Sequence, residues 1–269
     1  MVNNDKKRKT VGLVLSSGGD RGFAHIGVIN ILIKNNIPID YISGASIGAI
    51  IGAYYALNLE VDSLVEKVEK FANSKHPLKF LDFNIPGTSL IKGKEINDFF
   101  KNIFGNKTFN DTKIPLIIGA SDIDNGEPVY FREGKIIDAV IPSFAIPGIF
   151  PVVEKDNIHL VDGGLLCATP AEPMKIFNPD AMIISDVYGN KFGKMKNYSL
   201  SSILARVYKI SISNLSKINH RFYGDNYIEL KPQTVENIDT FTFKETKDNI
   251  VIGEQETLAR IEEIKKICL

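Results

Sequence analysis

Apolar residues along the chain form short continuous runs that alternate with stretches of helical spacing. Val11–Leu15 is one such run, and residues 39–43 form a second, β-like run. Each run is followed by a glycine-containing turn and then by a segment of helical periodicity, at residues 23–35 and 47–57. Two successive strand–turn–helix units indicate parallel strands joined by crossover helices, and continuous apolar strands indicate a sheet covered on both faces. We therefore predict an α/β fold with three α/β/α layers around a mostly parallel central sheet.

The same patterns predict the remaining elements. Helices are expected near residues 62–73, 94–103, 200–219 and 248–267, and strands at 114–122, 128–131, 158–161, 181–185 and 227–230. Asn125-Gly126 predicts a hairpin turn. In the irregular stretch 75–94, an apolar cluster fits either core packing or a mobile lid that meets lipid: Phe80, Leu81, Phe83 and Ile85. No linker or repeat interrupts the pattern, so we predict a single domain at 10–269 behind a flexible basic tail at 1–9.

Composition narrows the class of protein. The chain has 269 residues, of which 44% are hydrophobic and 24% charged, as in soluble globular proteins. Its 32 basic and 32 acidic residues balance, which argues against a nucleic-acid partner. Cys167 and Cys268 are too far apart in sequence to indicate a metal site or a disulfide framework, and no apolar run approaches the ~20 residues that cross a bilayer. We expect a cytoplasmic protein, or one peripheral at the membrane, with no metal and no cofactor.

Gly44-Ala45-Ser46-Ile47-Gly48 lies between a predicted strand and a predicted helix. A serine at such a junction occupies a strained turn, and the flanking glycines allow strand and helix to approach each other. Its Oγ then lies beside the N-terminus of the helix. This arrangement is typical of the nucleophile of a hydrolase.

A serine nucleophile needs a base, and the sequence offers Asp162. The four histidines have no triad-like context: His25, His76, His159 and His220. A carboxylate can serve instead where its surroundings raise its pKa. Asp162 follows the apolar run at 158–161 and precedes Gly163-Gly164, at the carboxyl end of a strand, where open α/β sheets place their sites. An ordinary turn aspartate before two glycines remains the alternative.

The turn at residues 17–22 reads Ser-Gly-Gly-Asp-Arg-Gly and has two interpretations. As a phosphate cradle, it would bind a nucleotide at a helix N-terminus. As an oxyanion hole, its backbone N–H groups would face a tetrahedral intermediate. The absence of a following Gly-Lys-Ser/Thr excludes a P-loop, and Ser17 replaces the first glycine of a dinucleotide fingerprint.

Taken together and in this order, the motifs resemble the patatin-like phospholipases, a family of serine lipid acyl hydrolases. The matching segments are residues 18–22 with the following 24–28, the elbow around Ser46, a loop at 143–151, and Asp162-Gly163-Gly164. The resemblance extends over about residues 11–181. It is greatest to the single-domain bacterial members.

The resemblance implies a Ser–Asp dyad without histidine. Ser46 would be the nucleophile and Asp162 the general base. Backbone N–H groups of Gly18 and Gly19 would stabilise the oxyanion, and Arg21 would support the loop or lie near the substrate's phosphate; Asp20 and Gly22 complete this loop. The substrate would be a phospholipid, a lysophospholipid or another acyl ester, with transient contact to a membrane surface.

The chain departs from the family's pattern at the glycine-rich loop. Ser16 and Ser17 stand where the family usually has glycine, Asp20 where a small residue is commoner, and Cys167 where asparagine is frequent. Backbone donors tolerate Ser17 only if its φ is negative. An alternative function is therefore a weakly active or inactive module that binds lipid or nucleotide on the same scaffold.

Overall fold

The computed structural model describes residues 8–74, 93–188, 194–195, 198–234 and 246–269. Residues 1–7 of the proposed tail at 1–9 and the apolar cluster of Phe80, Leu81, Phe83 and Ile85 lie outside these residues. One sheet contains eight strands: β1 (Val11–Leu15), β2 (Tyr41–Ala45), β3 (Leu116–Asp122), β4 (Glu127–Phe131), β5 (Val153–Lys155), β6 (Ile158–Val161), β7 (Ala181–Ser185) and β8 (Tyr227–Leu230). Their order is β5-β6-β3-β2-β1-β7-β8, and β4 also pairs with β3.

Helices connect and flank these strands. They are α1 (Ala24–Lys34), α2 (Ile47–Asn58), α3 (Asp62–Ser74), α4 (Lys94–Phe104), α5 (Ile136–Phe144), α6 (Gly164–Cys167), α7 (Leu200–Ile218), α8 (Thr246–Ala259) and α9 (Ile261–Cys268). None of the described helices combines the length and the apolar character needed to span a bilayer.

The centre of the sheet is parallel, as predicted. β3, β2, β1, β7 and β8 are neighbours that run in one direction, with Leu13 paired to Ile42 on one side and to Ile183 on the other. β4, β5 and β6 are antiparallel additions at one end. The Asn125-Gly126 hairpin joins β3 to β4, and Gly126 has the positive φ of 70° that this tight turn requires.

Both faces of the sheet are covered, which confirms the three-layer α/β prediction. Leu13 and Leu15 of β1 belong to a large apolar cluster that includes residues of α1 and α2. Val14 points to the opposite face and packs with Met174 and Tyr223. Because β1 is buried on both faces, every residue in it is apolar or glycine.

Two strands of opposite direction meet along one edge of β3. Strand β3 has two edges, and β4 pairs with one of them over residues 118–122. Strands β2 and β6 must therefore both pair with the opposite edge of β3. The end of β2 pairs Ala45 with Gly119, and the end of β6 pairs Val161 with Ser121. The carboxyl ends of β2 and β6 therefore converge within two residues of β3, and the residues that follow each strand meet there.

The C-terminal region differs from its prediction. The single helix expected at 248–267 is two helices, α8 and α9, separated at Arg260, whose φ of −110° and ψ of 9° depart from helical values. The Thr257 hydroxyl donates to the Gly253 carbonyl, a local bond that bends helices. Arg260 is held by a two-point contact with Glu263. Strand β5 and helix α5 were also not anticipated from the sequence.

Helices α1 and α8 cross with their backbones in contact. At Gly27 an added Cβ would overlap the carbonyl oxygen of Ile250, and at Gly253 it would overlap the carbonyl oxygen of Ala24. Only glycine therefore fits at either position of this crossing. The crossing holds α8 against the segment that follows β1.

We predict that Gly253→Ala lowers the free energy of unfolding by about 1–3 kcal/mol, because the methyl group collides with backbone that cannot move aside. In a helix without this close crossing, replacing glycine by alanine would raise the free energy of unfolding by about 1 kcal/mol. The sign of the measured change therefore tells whether the two backbones are in contact. Urea unfolding measures it. Val251→Ala, at a position of the same helix that is 47% exposed, is the control and should stay within about 0.5 kcal/mol of the wild type. A stabilised Gly253→Ala protein would contradict the close crossing.

Candidate active site

Ser46 occupies a strained turn between β2 and α2. Its φ is 53° and its ψ is −123°, a left-handed conformation that costs a non-glycine residue on the order of 1–3 kcal/mol. Ser143 of α5 holds this backbone, because its Oγ accepts the Ser46 N–H at 2.8 Å and donates to the Gly119 carbonyl at 2.6 Å. The Ser46 carbonyl in turn accepts the first N–H groups of α2. Hydrogen bonds to both its N–H and its carbonyl thus hold Ser46 in the strained conformation.

The glycines around Ser46 are required by close backbone contacts. A Cβ on Gly44 would overlap the backbone of Gly48, and a Cβ on Gly48 would overlap the carbonyl of Leu15 in β1. Strand β2, helix α2 and strand β1 therefore touch without intervening side chains. This contact fixes where the Ser46 side chain lies relative to the sheet.

The structure brings the side chains of Ser46 and Asp162 together. The Ser46 Oγ donates to the Asp162 Oδ2 at 2.6 Å, although the two residues are 116 positions apart in the sequence. Asp162 directly follows β6, and its backbone N–H donates to the Ala145 carbonyl at 2.8 Å. The Ser121 hydroxyl holds the Asp162 carbonyl at 2.9 Å. The contact is a direct result of β2 and β6 ending at the same point on β3.

The second carboxylate oxygen of Asp162 has two donors. Its Oδ1 accepts the Gly164 N–H at 2.7 Å and the Tyr208 hydroxyl of α7 at 3.1 Å. Burial raises the pKa of Asp162 to about 6, against hydrogen bonds from Ser46, Gly164 and Tyr208 that lower it. A carboxylate in this state can accept a proton near neutral pH.

Sequence reasoning missed Tyr208 and Ser143. Ser143 opens the loop at 143–151 that carries part of the family resemblance, so a signal for its importance was present. Tyr208 lies in α7, where nothing in the local pattern distinguishes it from other half-buried residues. Only its position in space reveals its contact with Asp162.

The loop after β1 is tied to the neighbouring strand by the two serines that depart from the family's glycines. The Ser16 N–H donates to the Ser185 carbonyl at 3.0 Å, and the Ser16 Oγ accepts the Val187 N–H at 3.1 Å. The Ser17 N–H donates to the Ala168 carbonyl at 2.8 Å, and its hydroxyl donates to Tyr188 at 3.1 Å. Ser17 is not in the left-handed region. The serines thus anchor the base of the loop.

The glycine-rich loop itself forms a short 3-10 helix at Gly19–Phe23. Gly19 has a φ of 57°, and a side chain at Gly18 would overlap Val187. Gly22 packs against Ile47, the first residue of α2, so the loop and the Ser46 elbow are in contact. Two further residues complete the loop: Arg21, which is buried, and Asp20, whose carbonyl accepts the Asn249 amide of α8 at 3.1 Å.

The Asp162-Gly163-Gly164 segment is closely packed on strand β3 and on the glycine-rich loop. A Cβ on Gly163 would overlap the Gly119 carbonyl, and a Cβ on Gly164 would lie 2.8 Å from the Ser17 Oγ. Cys167, one turn later, donates its buried thiol to the Gly163 carbonyl at 3.1 Å. Burial raises the pKa of this thiol, so Cys167 acts as a neutral donor beneath the turn.

His25 and His159 bond to groups other than Ser46. The His25 Nε2 lies 2.9 Å from the Ser16 carbonyl and its Nδ1 lies 2.7 Å from the Ser185 Oγ. Burial lowers the pKa of His25 to about 4, so it is neutral, with its proton on Nε2 facing the carbonyl. His159 contacts Asp124 at the surface. In the described part of the chain, the partner of the Ser46 hydroxyl is therefore a carboxylate, and His25 braces the glycine-rich loop.

An apolar cavity of about 50 Å³ lies beside the site. It is bounded by α4, α5 and the segment before β5, and Ala145, whose carbonyl holds Asp162, forms part of its wall. Its apolar side chains include Ile96, Phe100, Ile141, Phe144, Phe150 and Val153. Within the described ranges, no group of three His, Cys, Asp or Glu side chains is placed to hold a metal ion.

A family comparison agrees with this geometry. The model of the patatin-like phospholipases matches residues 13–175, which is more than half of the chain and includes the glycine-rich loop, Ser46 and Asp162. The chain belongs to the patatin-like phospholipase family.

Individual relatives are similar over part of their length. The chain is 33% identical over 181 residues to lysophospholipase nte1 of Aspergillus fumigatus, which covers 66% of this chain and 12% of that protein. It is 33% identical over 187 residues to an uncharacterized NTE family protein of Mycobacterium tuberculosis, covering 70% of this chain and 51% of that protein. The chain thus spans about half of one of these relatives and about an eighth of the other.

A solved structure supports the fold. VipD from Legionella pneumophila superimposes with a TM-score of 0.53, covering 96% of this chain and 67% of that one at 15% sequence identity. At this identity the likeness concerns the fold alone.

We predict that Asp162→Asn stabilises the protein at pH 7.5. An acid whose pKa is 3.8 in the unfolded chain and about 6 in the folded one binds protons more tightly when folded, so the free energy of unfolding falls as the pH rises between these values. Removing the buried charge should recover about 3 kcal/mol at pH 7.5, at ~1.4 kcal/mol per pKa unit, and much less at pH 4. Urea unfolding at the two pH values measures the difference.

Asp122→Asn is a control in which stability should change in the opposite direction. Hydrogen bonds from the side chain and backbone of Asn125 hold the pKa of Asp122 below its usual value, so this change should destabilise the protein at pH 7.5. An Asp162→Asn protein that is equally destabilised at both pH values would show that the carboxylate at 162 stabilises the fold.

Proposed function

We propose that this protein is a serine lipid acyl hydrolase in which Ser46 is the nucleophile and Asp162 the general base. The hydrogen bond of 2.6 Å between the Ser46 Oγ and the Asp162 Oδ2, on a strained elbow within a family of phospholipases, is the observation that carries the proposal. The serine proton is already directed at the group that must remove it. The raised pKa of Asp162 matches a base that works near neutral pH.

The first half of the reaction transfers the acyl group to the enzyme. The Ser46 Oγ attacks the ester carbonyl carbon while its proton moves to the Asp162 Oδ2. Backbone N–H groups of Gly18 and Gly19 stabilise the oxyanion of the tetrahedral intermediate. The family resemblance supports this role for the two glycines, which directly follow Ser16 and Ser17, whose N–H groups are bonded to the Ser185 and Ala168 carbonyls. The intermediate then breaks its ester C–O bond, and the leaving alcohol takes the proton from Asp162.

The second half releases the fatty acid. Water gives a proton to Asp162 as its oxygen attacks the acyl carbon on Ser46. When this second intermediate collapses, the proton returns to the Ser46 Oγ and the carboxylic acid leaves. One carboxylate thus moves the proton in both directions, and the neutral His25 acts only through the loop that it braces.

Acyl esters of lipids are the substrate class that this site favours. The family is named for phospholipases, and the relative from Aspergillus fumigatus is described as a lysophospholipase. Phospholipids, lysophospholipids and simple acyl esters are therefore the candidates to be compared.

We predict that a fluorophosphonate probe labels the wild-type protein and fails to label Ser46→Ala, because only an activated serine reacts. Ser43→Ala is the matched control, since Ser43 is a buried serine of the same strand whose hydroxyl donates to the Pro170 carbonyl at 2.7 Å. It should retain labelling. Asp162→Asn should lower kcat for ester hydrolysis about 10²–10⁴-fold while the protein remains folded.

Hydrolysis of nitrophenyl esters, lysophospholipid and phospholipid separates a general esterase from a lipase. Unchanged labelling of Ser46→Ala would refute the nucleophile. A wild-type protein that hydrolyses none of these esters and retains bound lipid would instead be a lipid-binding module.

We predict that Tyr208→Phe moves the acidic limb of the kcat/KM profile to higher pH. The Tyr208 hydroxyl bonds to the Asp162 Oδ1 and lowers the pKa of that carboxyl, so its removal raises the pKa and reduces the active fraction at low pH. We expect kcat to fall about 10-fold, as for one lost hydrogen bond to a charged group, with little change in KM. Tyr198→Phe, at a site 74% exposed, should leave the profile unchanged. An unshifted profile in Tyr208→Phe would rule out this role.

A further inference from the structure

Helix α7 exposes a row of large apolar side chains to solvent. Leu200 is 74% exposed, Leu204 59% and Val207 53%, and Ile203 and Ile210 are each 40% exposed. At 3.6 residues per turn, these five positions lie within an arc of about 120° on one side of the helix. We call these five residues the α7 apolar face. Tyr198, 74% exposed, stands just before it.

The opposite side of α7 is fixed to the protein. Ile212, Ser213 and Ser216 are buried, and the Ser216 hydroxyl donates to the Asp186 Oδ2 at 2.6 Å. The Tyr208 hydroxyl reaches Asp162 from this side. The α7 apolar face is therefore the outward side of a helix whose inward side contacts the candidate catalytic carboxylate. Scattered exposed apolar residues are ordinary, whereas a continuous face beside a site marks an interaction surface.

The charged residues in the stretch of sequence that contains this helix are all basic. Residues 187–224 contain no Asp or Glu and seven basic residues, although the whole chain has 32 of each: Lys191, Lys194, Lys196, Arg206, Lys209, Lys217 and Arg221. Three of these, Arg206, Lys209 and Lys217, belong to α7 itself. A helix with an apolar side and only basic charges is the pattern of segments that lie in the interface of anionic bilayers.

We propose that the α7 apolar face docks the protein on an anionic lipid surface, with the five side chains inserted at the level of the headgroups. The basic residues of α7 and its neighbourhood attract the anionic headgroups. A partner without negative charge would leave the basic residues unused, and a second copy of the chain would bring the same basic residues against each other. The inference rests on the proposed function for its assumption that lipid is the substrate, since docking then delivers substrate to the helix that contacts Asp162.

The test measures vesicle binding separately from hydrolysis. Ser46→Ala protein is sedimented with vesicles of equal parts phosphatidylglycerol and phosphatidylcholine, and with vesicles of phosphatidylcholine alone. We expect binding to the anionic vesicles that weakens as salt is raised, because screening reduces headgroup attraction. Adding Leu204→Gln and Val207→Gln should lower the vesicle partition about 10-fold or more.

A matched pair of changes controls for the loss of exposed apolar surface in general. Val251 and Leu258 of α8 are 47% and 51% exposed, and Val251→Gln with Leu258→Gln should leave vesicle binding unchanged. Circular dichroism and urea unfolding confirm that both double variants are folded. Each pair of changes is also made in protein that retains Ser46. Fluorophosphonate should label these two double variants as fully as the wild type, because neither pair contacts the candidate active site.

Equal vesicle binding by the Leu204→Gln, Val207→Gln protein, or no binding by the parent, overturns the docking proposal. A dimer in solution that this double variant abolishes would also overturn it, since a second copy would then cover the face. Absence of labelling in a protein that binds vesicles through α7 would refute the proposed chemistry and leave the docking surface intact.

Discussion

The candidate site depends on one carboxylate that is held away from water while three hydrogen-bond donors point at it. Burial raises the free energy of the charged form of Asp162, and donors from Ser46, Gly164 and Tyr208 offset part of that cost. The two effects leave a group that exchanges a proton near neutral pH. An exposed carboxylate with the same donors would be too weak a base for a serine hydroxyl.

The surrounding structure keeps this arrangement in place mainly through backbone. Strands β2 and β6 converge on one edge of β3, so the residues after them meet whatever their side chains are. Backbone-to-backbone contacts at Gly44, Gly48 and Gly163 then set the distances between the strands and the helix that form the site. The serines at 16 and 17 fit this plan because their hydroxyls and N–H groups tie the loop to β7 and α6. Their departure from the family's glycines therefore has a structural role in this chain.

Sequence patterns predicted an element correctly where burial alone determined which residues it contains. Strand β1 and helix α2 are buried on all sides, so their continuous apolar runs identified them directly. The pairing of Ser46 with Asp162 was implied by the family resemblance and not by strand order, because β6 runs antiparallel to β3 and only the short overlap of the two strands brings their ends together. Tyr208 could not be found, since a half-buried tyrosine in a helix carries no local sign of a partner 46 residues away. The break between α8 and α9 was missed because residues 254–268 contain no glycine or proline that would mark the end of a helix.

The bond between Asn249 and the Asp20 carbonyl joins groups 229 residues apart. During synthesis the glycine-rich loop is therefore made more than two hundred residues before α8, which supports it. We expect the loop to reach its final shape only after α8 has been made, because contacts of such long range are entropically costly to close. A nascent chain would thus carry the serine elbow long before the neighbouring loop has its support from α8.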